Sequence, residues 1–353
     1  MGHLTRVYNA LLYYFMVIFG TGLCLLITFL ITLTHPLGVF QRRKRYLQKP
    51  ACMDDPQLGS HGHVRTGDGK IHYVVSGPRD KPLMLFLHGF PENWYTWRHQ
   101  IREFQKDYRV IAMDTRGAGE SQKFHSVDSY TIDKLSLDVK AVLTELGYSS
   151  CVLVGHDWGG MIALHFAGAY PDLVDKLIIM NAADITQLHH VLYTNIKQRL
   201  KSWYMFAYQI PWLPELMVGL FVKLGLMEGG YEISEENKNI TSEDAAAISY
   251  GLCLPGSLAA GINYYRANIS TPNPSQIRHA ILCPTLLIWG TGDAYLDVCL
   301  TQGHDKYIQD FTVSFVEGAN HFVNQVKPQE VNKAMREFLQ GDGSDQSSNI
   351  YIS

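Results

Sequence analysis

The segment GHDWGG, residues 155–160, places a carboxylate between small residues that permit a sharp turn. The apolar run CVLV precedes it and MIALHFAGAYP follows it, an order that indicates strand, tight turn and helix. The arrangement fits the nucleophile elbow G-x-S-x-G, with Asp157 in place of the serine. A carboxylate that attacks a carbonyl carbon is expelled again, but at an sp³ carbon it can displace a leaving group and form an alkyl ester. The sequence therefore predicts a covalent ester on Asp157.

A general base and an acid that orients it must accompany this ester, because water has to be activated to hydrolyse it. The segment EGANHFVNQ supplies His321, which follows the last predicted strand and a turn of small residues. The orienting acid is expected between the nucleophile and the histidine in chain order. WGTGDAYLD supplies Asp293 for this role, and Asp184 after KLIIMNAA is the alternative. Asp297 is expected to cap a turn or to lie at the surface.

Hydrolysis of the ester also requires N–H donors for the oxyanion that forms when water attacks. The loop LHGFPENW follows an apolar strand, and we expect it to supply the backbone N–H of Phe90. The second N–H is expected from Trp158, directly after the nucleophile. We expect Phe90, Pro91 and Trp158 to bind the substrate as well. His88 in the same loop is expected to make structural hydrogen bonds rather than to act as a base.

Alternating strands and helices must position these residues. Short apolar runs read as strands: IHYVV, LMLFLH, RVIAMD, CVLVGH, KLIIMN, TLLIWG and TVSFVE. Several are hydrophobic throughout, as strands covered by helices on both faces are. With helical patterns such as TIDKLSLDVKAVLTELG between them, they predict an α/β core with a mostly parallel sheet, formed by residues 51–183 and 281–341.

The alternation stops between the two core segments. Residues 184–280 are dense in Tyr, Trp, Met and Pro and contain no clear strand, which predicts a helical lid over the strand ends. A peripheral packing insert is the alternative. Residues 342–353 are polar and expected to be disordered.

The composition limits the class of protein. The 353 residues are 46% hydrophobic with a formal net charge of -3, so the basic excess of a nucleic-acid-binding protein is absent. This length suffices for one large catalytic domain with an insertion. The six cysteines have neither C-x-x-C pairs nor metal-ligand spacing, which favours free thiols over disulfides and predicts no metal site.

Residues 1–50 are expected to hold the protein in a membrane. Residues 10–33 are almost wholly apolar, and about 20 residues cross the roughly 30 Å hydrocarbon layer of a bilayer. A signal peptide would have a shorter apolar region and a cleavage site of small residues. We therefore expect a retained transmembrane helix in contact with the lipid bilayer, in a single-pass protein of the endoplasmic reticulum.

Two signals in the sequence bear on membrane orientation. The flank QRRKRYLQK is more basic than the N-terminal side with Arg6, so the positive-inside rule places the catalytic domain on the cytoplasmic side. The sequons at Asn239 and Asn268 argue for the lumen, where they would be glycosylated. We expect the cytoplasmic side, and a glycosidase-sensitive mass shift would reverse that choice.

In order and spacing, the segments HGFP, GHDWGG, WGTGD and GANH resemble the epoxide hydrolase family of the α/β-hydrolase fold. The resemblance covers residues 64–340 and includes the lid, where KSWYMFAYQIPWLPE and GINYYRAN resemble the family's two tyrosine-bearing segments. The apolar N-terminus, QIPWLPE and NYYR are most similar to the vertebrate, membrane-anchored members. The resemblance implies that Asp157 is the nucleophile, His321 the base and Asp293 its partner, without metal or organic cofactor.

The resemblance also assigns lid residues to the leaving oxygen. It implies that Tyr204 and Tyr265 hydrogen-bond the epoxide oxygen and protonate it as the ring opens, a task suited to phenols with an ordinary pKa near ~10. Tyr208 and Tyr264 are close alternatives, because a small change of helix register would exchange them with these two.

Three functions remain to be compared. The first is hydrolysis of a hydrophobic epoxide to a vicinal diol, with fatty-acid or lipid epoxides as the expected class because the lid and the anchor are apolar. The second is dehalogenation by the same aspartate, which requires ring N–H donors for the halide in place of phenols. The third is a catalytically silent membrane protein of the same fold.

Overall fold

The computed structural model describes residues 3–36, 48–226, 239–270, 280–341 and 350–352. Its strands are β1 (Ser60–Arg65), β2 (Lys70–Ser76), β3 (Leu83–Leu87), β4 (Arg109–Met113), β5 (Cys151–His156), β6 (Val174–Met180), β7 (Thr285–Gly290), β8 (Phe311–Val316) and β9 (Ile350–Ile352). Its helices are α1 (His3–Thr34), α2 (Arg98–Phe104), α3 (Ile132–Glu145), α4 (Trp158–Ala169), α5 (Ile185–Thr194), α6 (Ile196–Lys201), α7 (Trp203–Ala207), α8 (Leu213–Leu224), α9 (Ser242–Cys253), α10 (Ser257–Ile269), α11 (Val323–Val326) and α12 (Pro328–Gln340).

The described strands form one nine-stranded sheet in the order β1-β2-β4-β3-β5-β6-β7-β8-β9. β2 pairs antiparallel with β1 and β4, whereas the pairs from β4 to β9 in that order are parallel. In β3, Leu85 and Leu87 pack into one buried cluster while Met84 and Phe86 pack into another, since successive side chains point to opposite faces. Every strand predicted from an apolar run is present.

Two strands were not predicted. β1 has the sequence SHGHVR, is largely exposed, and is held by its backbone pairing with β2 at the sheet edge, so its apolar pattern is weak. β9 lies in the tail that was expected to be disordered. Residues 350–352 instead pair with β8, while 342–349 and 353 lie outside the described residues.

Helices α5 to α10 lie between β6 and β7, within the stretch expected to form a lid. Residues 227–238 and 271–279 of that stretch lie outside the described residues. The Asp184 side chain accepts hydrogen bonds from two backbone N–H groups in the first turn of α5. Asp184, the alternative orienting acid, is therefore a helix cap.

Helix α1 contains the apolar segment for which a membrane span was expected. Its segment Leu4–Thr34 has a mean hydropathy of 2.4 and is long enough to cross a bilayer. Among the described residues, α9 and α10 pass the same test only as a pair bent by 75°. One face of α1 packs against α7 and α8, and most of its other large apolar side chains are exposed. Most of the basic flank lies in residues 37–47, outside the described residues.

Candidate active site

Asp157 lies on a strained turn between β5 and α4. Its backbone has φ 52° and ψ −122°, a left-handed conformation that is costly for a residue with a side chain. A Cβ atom at Gly155 would clash with the Gly159 carbonyl, and one at Gly159 would clash with that of Leu87. The small residues of GHDWGG are therefore required for the close approach that lifts the Asp157 carboxylate above the sheet.

The loop after β3 holds this carboxylate by its backbone. The Phe90 N–H donates to Oδ1 of Asp157 at 2.8 Å. Gly89 lies so close to the Asp157 side chain that a Cβ atom there would clash with it. Trp158 is the first residue of α4, so its backbone N–H begins the helix beside the same carboxylate.

The structure brings Asp157, His321 and Asp293 together and buries all three side chains. The Nε2 atom of His321 lies 3.3 Å from Oδ2 of Asp157, and its Nδ1 atom lies 2.7 Å from Oδ2 of Asp293. Asp293 follows β7 and His321 follows β8. Parallel strands therefore deliver these groups to the sheet edge at which β5 delivers Asp157.

The charges of this triad alter one another's protonation. Burial alone would lower the pKa of His321, but the negative charge of Asp293 and hydrogen bonds to Asp157 and Asp293 raise it well above its usual value. Burial likewise would raise the pKa of Asp293, but the charge and hydrogen bond of His321 lower it. The imidazole is therefore stabilised in its protonated form while both carboxylates are charged.

Asn181 holds Asp293 in place, a role that was not predicted. Its Nδ2 donates to Oδ2 of Asp293 at 2.7 Å, and its Oδ1 accepts from the Gly290 N–H at 2.9 Å. Backbone N–H groups of Tyr295 and Leu296 donate to the other oxygen, Oδ1, of Asp293. The only sequence signal for Asn181 is its position directly after the apolar run of β6.

A second buried network lies beneath His321. Nδ1 of His156 is 2.8 Å from Glu92 Oε2, and Nε2 of His156 is 2.8 Å from the backbone carbonyl oxygen of His321. Thr96 and Gln325 donate to the other Glu92 oxygen. Burial would raise the pKa of Glu92, but the charge of His156 and the hydrogen bonds with His156 and Thr96 lower it to about 2. No role was predicted for Glu92 or His156.

Tyr204 on α7 and Tyr265 on α10 line the same cavity as Asp157. Their ring centroids are 5.8 Å apart, and the two rings pack edge-on with an interplanar angle of 76°. Burial raises the pKa of both phenols well above the ordinary value, and the negative charge of Asp157 adds to the rise in each. Both hydroxyls therefore stay protonated and available to donate.

The alternative tyrosines have other surroundings. The Tyr264 hydroxyl donates to the backbone carbonyl of Arg116 at 2.7 Å, which is a structural contact. Tyr208 lines the cavity, with its ring 5.5 Å from that of Tyr204. Burial raises the pKa of Tyr208, followed by the charges of Tyr295 after β7, Cys24 of α1 and Glu215 of α8, whereas the charge of Asp157 contributes to the rise at Tyr204 and Tyr265. This difference favours Tyr204 and Tyr265.

The cavity has a volume of about 420 Å³ and is mostly apolar. Phe90 and Pro91 line it as expected. Trp158 was also expected to contact the substrate, but its side chain is not part of this lining and packs edge-on against Tyr265, with ring centroids 5.0 Å apart. The remaining lid wall consists mainly of Trp203, Tyr208, Met217, Val218, Phe221 and Leu226.

Two other polar residues have structural roles. Nε2 of His88 accepts from the Thr115 N–H at 3.0 Å, and its Nδ1 is 2.7 Å from the Gly89 carbonyl oxygen. Burial lowers the pKa of His88 and favours this neutral form. Asp297 caps a 3-10 turn by accepting from the Cys299 N–H. Both residues therefore stabilise loops that carry other site residues.

One group of metal-ligating side chains lies close together within the described ranges. His61, His72 and Glu120 place their ligand atoms within 4.8 Å of one another, away from the cavity lining. The facing nitrogens of the two histidines are 2.8 Å apart, so they share a hydrogen bond. Lys49 lies 3.4 Å from Glu120 and disfavours a second cation there. All six cysteines are free thiols, as predicted.

Comparison with known proteins identifies the relatives of this chain. The model of the α/β hydrolase fold family matches residues 82–328. Epoxide hydrolase 4 of Homo sapiens is 40% identical over 342 residues, covering 94% of this chain and 94% of that protein. Epoxide hydrolase 3 of Xenopus tropicalis is 38% identical, covering 87% of this chain and 85% of its own length.

Solved structures agree with these relatives. A variant of an epoxide hydrolase from Bacillus megaterium, in complex with its product (R)-3-[1]naphthyloxy-propane-1,2-diol, has a TM-score of 0.70 and 33% identity. It covers 79% of this chain and 100% of its own. The fold predicted from the sequence and the resemblance to epoxide hydrolases, vertebrate members among them, are thereby confirmed. The chain belongs to the epoxide hydrolase family of the α/β-hydrolase fold.

Proposed function

We propose that this protein hydrolyses epoxides to vicinal diols through an alkyl ester on Asp157. The observation that carries the proposal is one cavity lined by the Asp157 carboxylate from the core and the phenols of Tyr204 and Tyr265 from the lid. In the first step Oδ2 of Asp157 attacks an epoxide carbon and the carbon–oxygen bond of the ring breaks. The electron pair goes to the ring oxygen, which takes a proton from a tyrosine.

In the second step water hydrolyses the ester. His321 takes a proton from water, and the resulting hydroxide attacks Cγ of Asp157. The oxyanion forms at Oδ1, where the Phe90 N–H already donates, and the Trp158 N–H is the proposed second donor. The diol oxygen leaves with one proton, and the other proton from water restores the tyrosine. The Asp157 carboxylate is regenerated with one oxygen from water.

Hydrophobic epoxides, including those of fatty acids and other lipids, are the proposed substrate class. The lid wall of the cavity is mainly apolar, and Lys201 is the only lysine or arginine that lines the cavity within the described residues. Lys201 Nζ is engaged with the backbone carbonyl oxygens of Asp293 and Leu296. Met217 of the cavity wall also contacts Cys24 of α1. The cavity wall therefore lies next to the helix that is proposed to be in the membrane.

We propose that α1 anchors the enzyme in the endoplasmic reticulum membrane with its catalytic domain on the cytoplasmic side. Both sequon asparagines are used in packing, which supports this orientation. The Asn268 side chain accepts from the Ile132 N–H and donates to the Tyr130 and Tyr264 carbonyls. Asn239 donates to the Val326 carbonyl. A glycosidase-sensitive mass shift in membrane-expressed protein would contradict the cytoplasmic assignment.

Trapping the ester tests the proposed reaction. We expect brief exposure of the His321→Gln variant to an aromatic or fatty-acid epoxide to add the mass of that epoxide to the peptide containing Asp157. In ¹⁸O-water, one turnover of the wild-type enzyme should place heavy oxygen in Asp157 rather than in the first diol. An Asp157→Ala variant serves as the control and should form no diol. Label in the first diol alone would exclude the ester.

Two further assays separate the alternatives. Release of halide from a chlorinated alkane, without diol formation from epoxides, would favour dehalogenation. The other assay compares the rates of epoxide conversion by membranes with the wild-type protein and membranes with Asp157→Ala. Equal rates for every epoxide tested would indicate a catalytically silent protein. The paired phenols support the epoxide because they offer O–H donors to an oxygen.

A further inference from the structure

The anchor helix packs directly against the lid. One stripe of α1 is buried along its length and consists of Asn9, Tyr13, Met16, Gly20, Cys24 and Ile31. Successive members are mostly three or four residues apart, so they share one helix face. The exposed face carries large apolar side chains such as Leu11, Phe15 and Ile18, which suit a lipid environment. Helix α1 therefore has a protein-facing side and a lipid-facing side.

The contact between α1 and α7 is made at backbone distance. A Cβ atom added to Gly20 would lie 2.8 Å from the Trp203 carbonyl oxygen and 3.0 Å from the Ala207 nitrogen. The ring of Tyr13 packs edge-on against that of Phe206, with centroids 6.0 Å apart. Because backbone atoms of α7 are the obstacle, a larger residue at Gly20 must displace the helix.

Helix α7 is also the element that carries Tyr204. It has five residues, too few for a helix to be stable by itself, so its position is set by what packs on it. Trp203 and Tyr204 line the cavity on one side of α7, while Gly20 of α1 contacts its backbone. The neighbouring helix α8 repeats the arrangement, because Met217 lines the cavity and lies 3.4 Å from the Cys24 sulfur.

We propose that α1 is a positioning element of the catalytic lid as well as an anchor, and that the close contact at Gly20 sets the position of Tyr204 relative to Asp157. The inference rests on the proposed function, in which Tyr204 helps to protonate the epoxide oxygen as the ring opens. Ester formation then depends on the fit between anchor and lid. Ester hydrolysis depends on His321 and Asp293, which lie in the core after β8 and β7.

The test compares Gly20→Leu with Gly22→Leu in the full-length protein in membranes. Both substitutions add the same apolar side chain to the same helix, but a Cβ atom at Gly22 meets nothing within 4 Å. A displacement of about 1 Å can cost on the order of 100-fold in rate. We therefore expect Gly20→Leu to slow ester formation about tenfold or more in single-turnover experiments, with ester hydrolysis unchanged. Gly22→Leu should match the wild type in both steps.

Each outcome has a distinct meaning. A wild-type enzyme that forms no ester would refute the proposed function itself. An active wild type with equal rates in the two variants would overturn the positioning role of α1. Equal slowing of ester formation and ester hydrolysis by Gly20→Leu would also overturn it, because a general disruption of folding would then explain the loss. If adding Gly20→Leu to Tyr204→Phe caused little further loss in the rate of ester formation, the two changes would act on the same step, which would support the positioning role.

Cross-linking tests the packing without relying on activity. In a Met217→Cys variant, a short thiol-specific cross-linker applied to intact membranes should join residues 24 and 217, as mass spectrometry of the linked peptides would show. The matched control adds Cys24→Ser and should lose the product. Absence of this product from active, membrane-bound Met217→Cys protein would mean that α1 leaves the lid in the bilayer, and the inference would be wrong.

Discussion

Nε2 of His321 lies 3.3 Å from Oδ2 of Asp157, so the nucleophile and the base of the proposed reaction share a charge interaction. Burial opposes protonation of His321, but Asp293 and Asp157 together raise its pKa well above the usual value. An ester on Asp157 carries no charge. Formation of the ester must therefore lower the pKa of His321, so that the imidazolium releases its proton to solvent and becomes the neutral base that the second step requires.

The first prediction concerns this coupling. In Asp157→Asn, which keeps the size of the side chain but removes its charge, His321 should titrate at a lower pH than in the wild type. Histidine ¹⁵N NMR of the purified protein measures the titration. Asp297→Asn removes a carboxylate from a cap of the neighbouring loop and should leave His321 unchanged. Identical titration of His321 in wild type and Asp157→Asn would show that the two residues are not coupled.

The second prediction separates the lid tyrosines. Tyr204→Phe and Tyr265→Phe should each slow ester formation by about tenfold or more, because a positioned general acid contributes roughly 100-fold to 10,000-fold and the two phenols share the task. Single-turnover measurement of the ester gives the rate. Ester hydrolysis should be unchanged in both variants.

Tyr208→Phe is the control for register, since Tyr208 lines the same cavity one helical turn after Tyr204. Its ester formation should stay within about twofold of wild type, the scale of an uninvolved residue. If Tyr208→Phe lost as much activity in ester formation as Tyr204→Phe, the assignment of the second lid tyrosine to Tyr204 would be wrong.

Apolar runs in the sequence were sufficient to predict the central strands, because strands covered on both faces must be hydrophobic throughout. The triad was predictable for a related reason. Asp157, Asp293 and His321 each follow such a strand, and the ends of parallel strands meet at one edge of the sheet. Strand β1 was missed because a half-exposed edge strand has no continuous apolar run.

Other features depend on partners that are remote in sequence. Asn181 and Glu92 lie inside quoted segments but were given no role, because their roles depend on contacts with Asp293 and His156. Gly20 is one of several small residues in an apolar segment, and only its neighbour α7 distinguishes it from Gly22. The side chain of Trp158 packs against Tyr265 of α10 rather than lining the cavity, and no local sequence pattern encodes this contact.

The third prediction concerns Asn181. In Asn181→Asp the hydrogen bond from Gly290 can be kept, but the donor to Asp293 is replaced by a second carboxylate. A hydrogen bond to a charged group contributes about 1.5–3 kcal/mol, so ester hydrolysis should slow by roughly tenfold to 100-fold. Ester formation should be retained, and the ester should accumulate on Asp157, as mass spectrometry during turnover would detect.

Asp184→Asn is the matched control, because asparagine also caps a helix and Asp184 caps α5. This variant should turn over normally. Accumulated ester in Asp184→Asn, with normal turnover in Asn181→Asp, would transfer the orienting role away from Asp293.

The fourth prediction concerns Glu92 and the pH dependence of stability. The pKa of Glu92 falls from 4.5 to about 2 on folding. A carboxyl group with a depressed pKa stabilises the folded state above its unfolded pKa, and this stabilisation is lost as the pH falls through the folded value. At about 1.36 kcal/mol per pKa unit, this stabilisation amounts to about 3 kcal/mol at neutral pH.

Glu92→Gln should be less stable than wild type by that order, and the difference should shrink between about pH 4.5 and about pH 2. Denaturant unfolding in detergent across this range measures it, with Glu337→Gln on the exposed side of α12 as the control. If the difference in free energy of unfolding between Glu92→Gln and wild type were the same at every pH, the charge of Glu92 would not stabilise the folded protein.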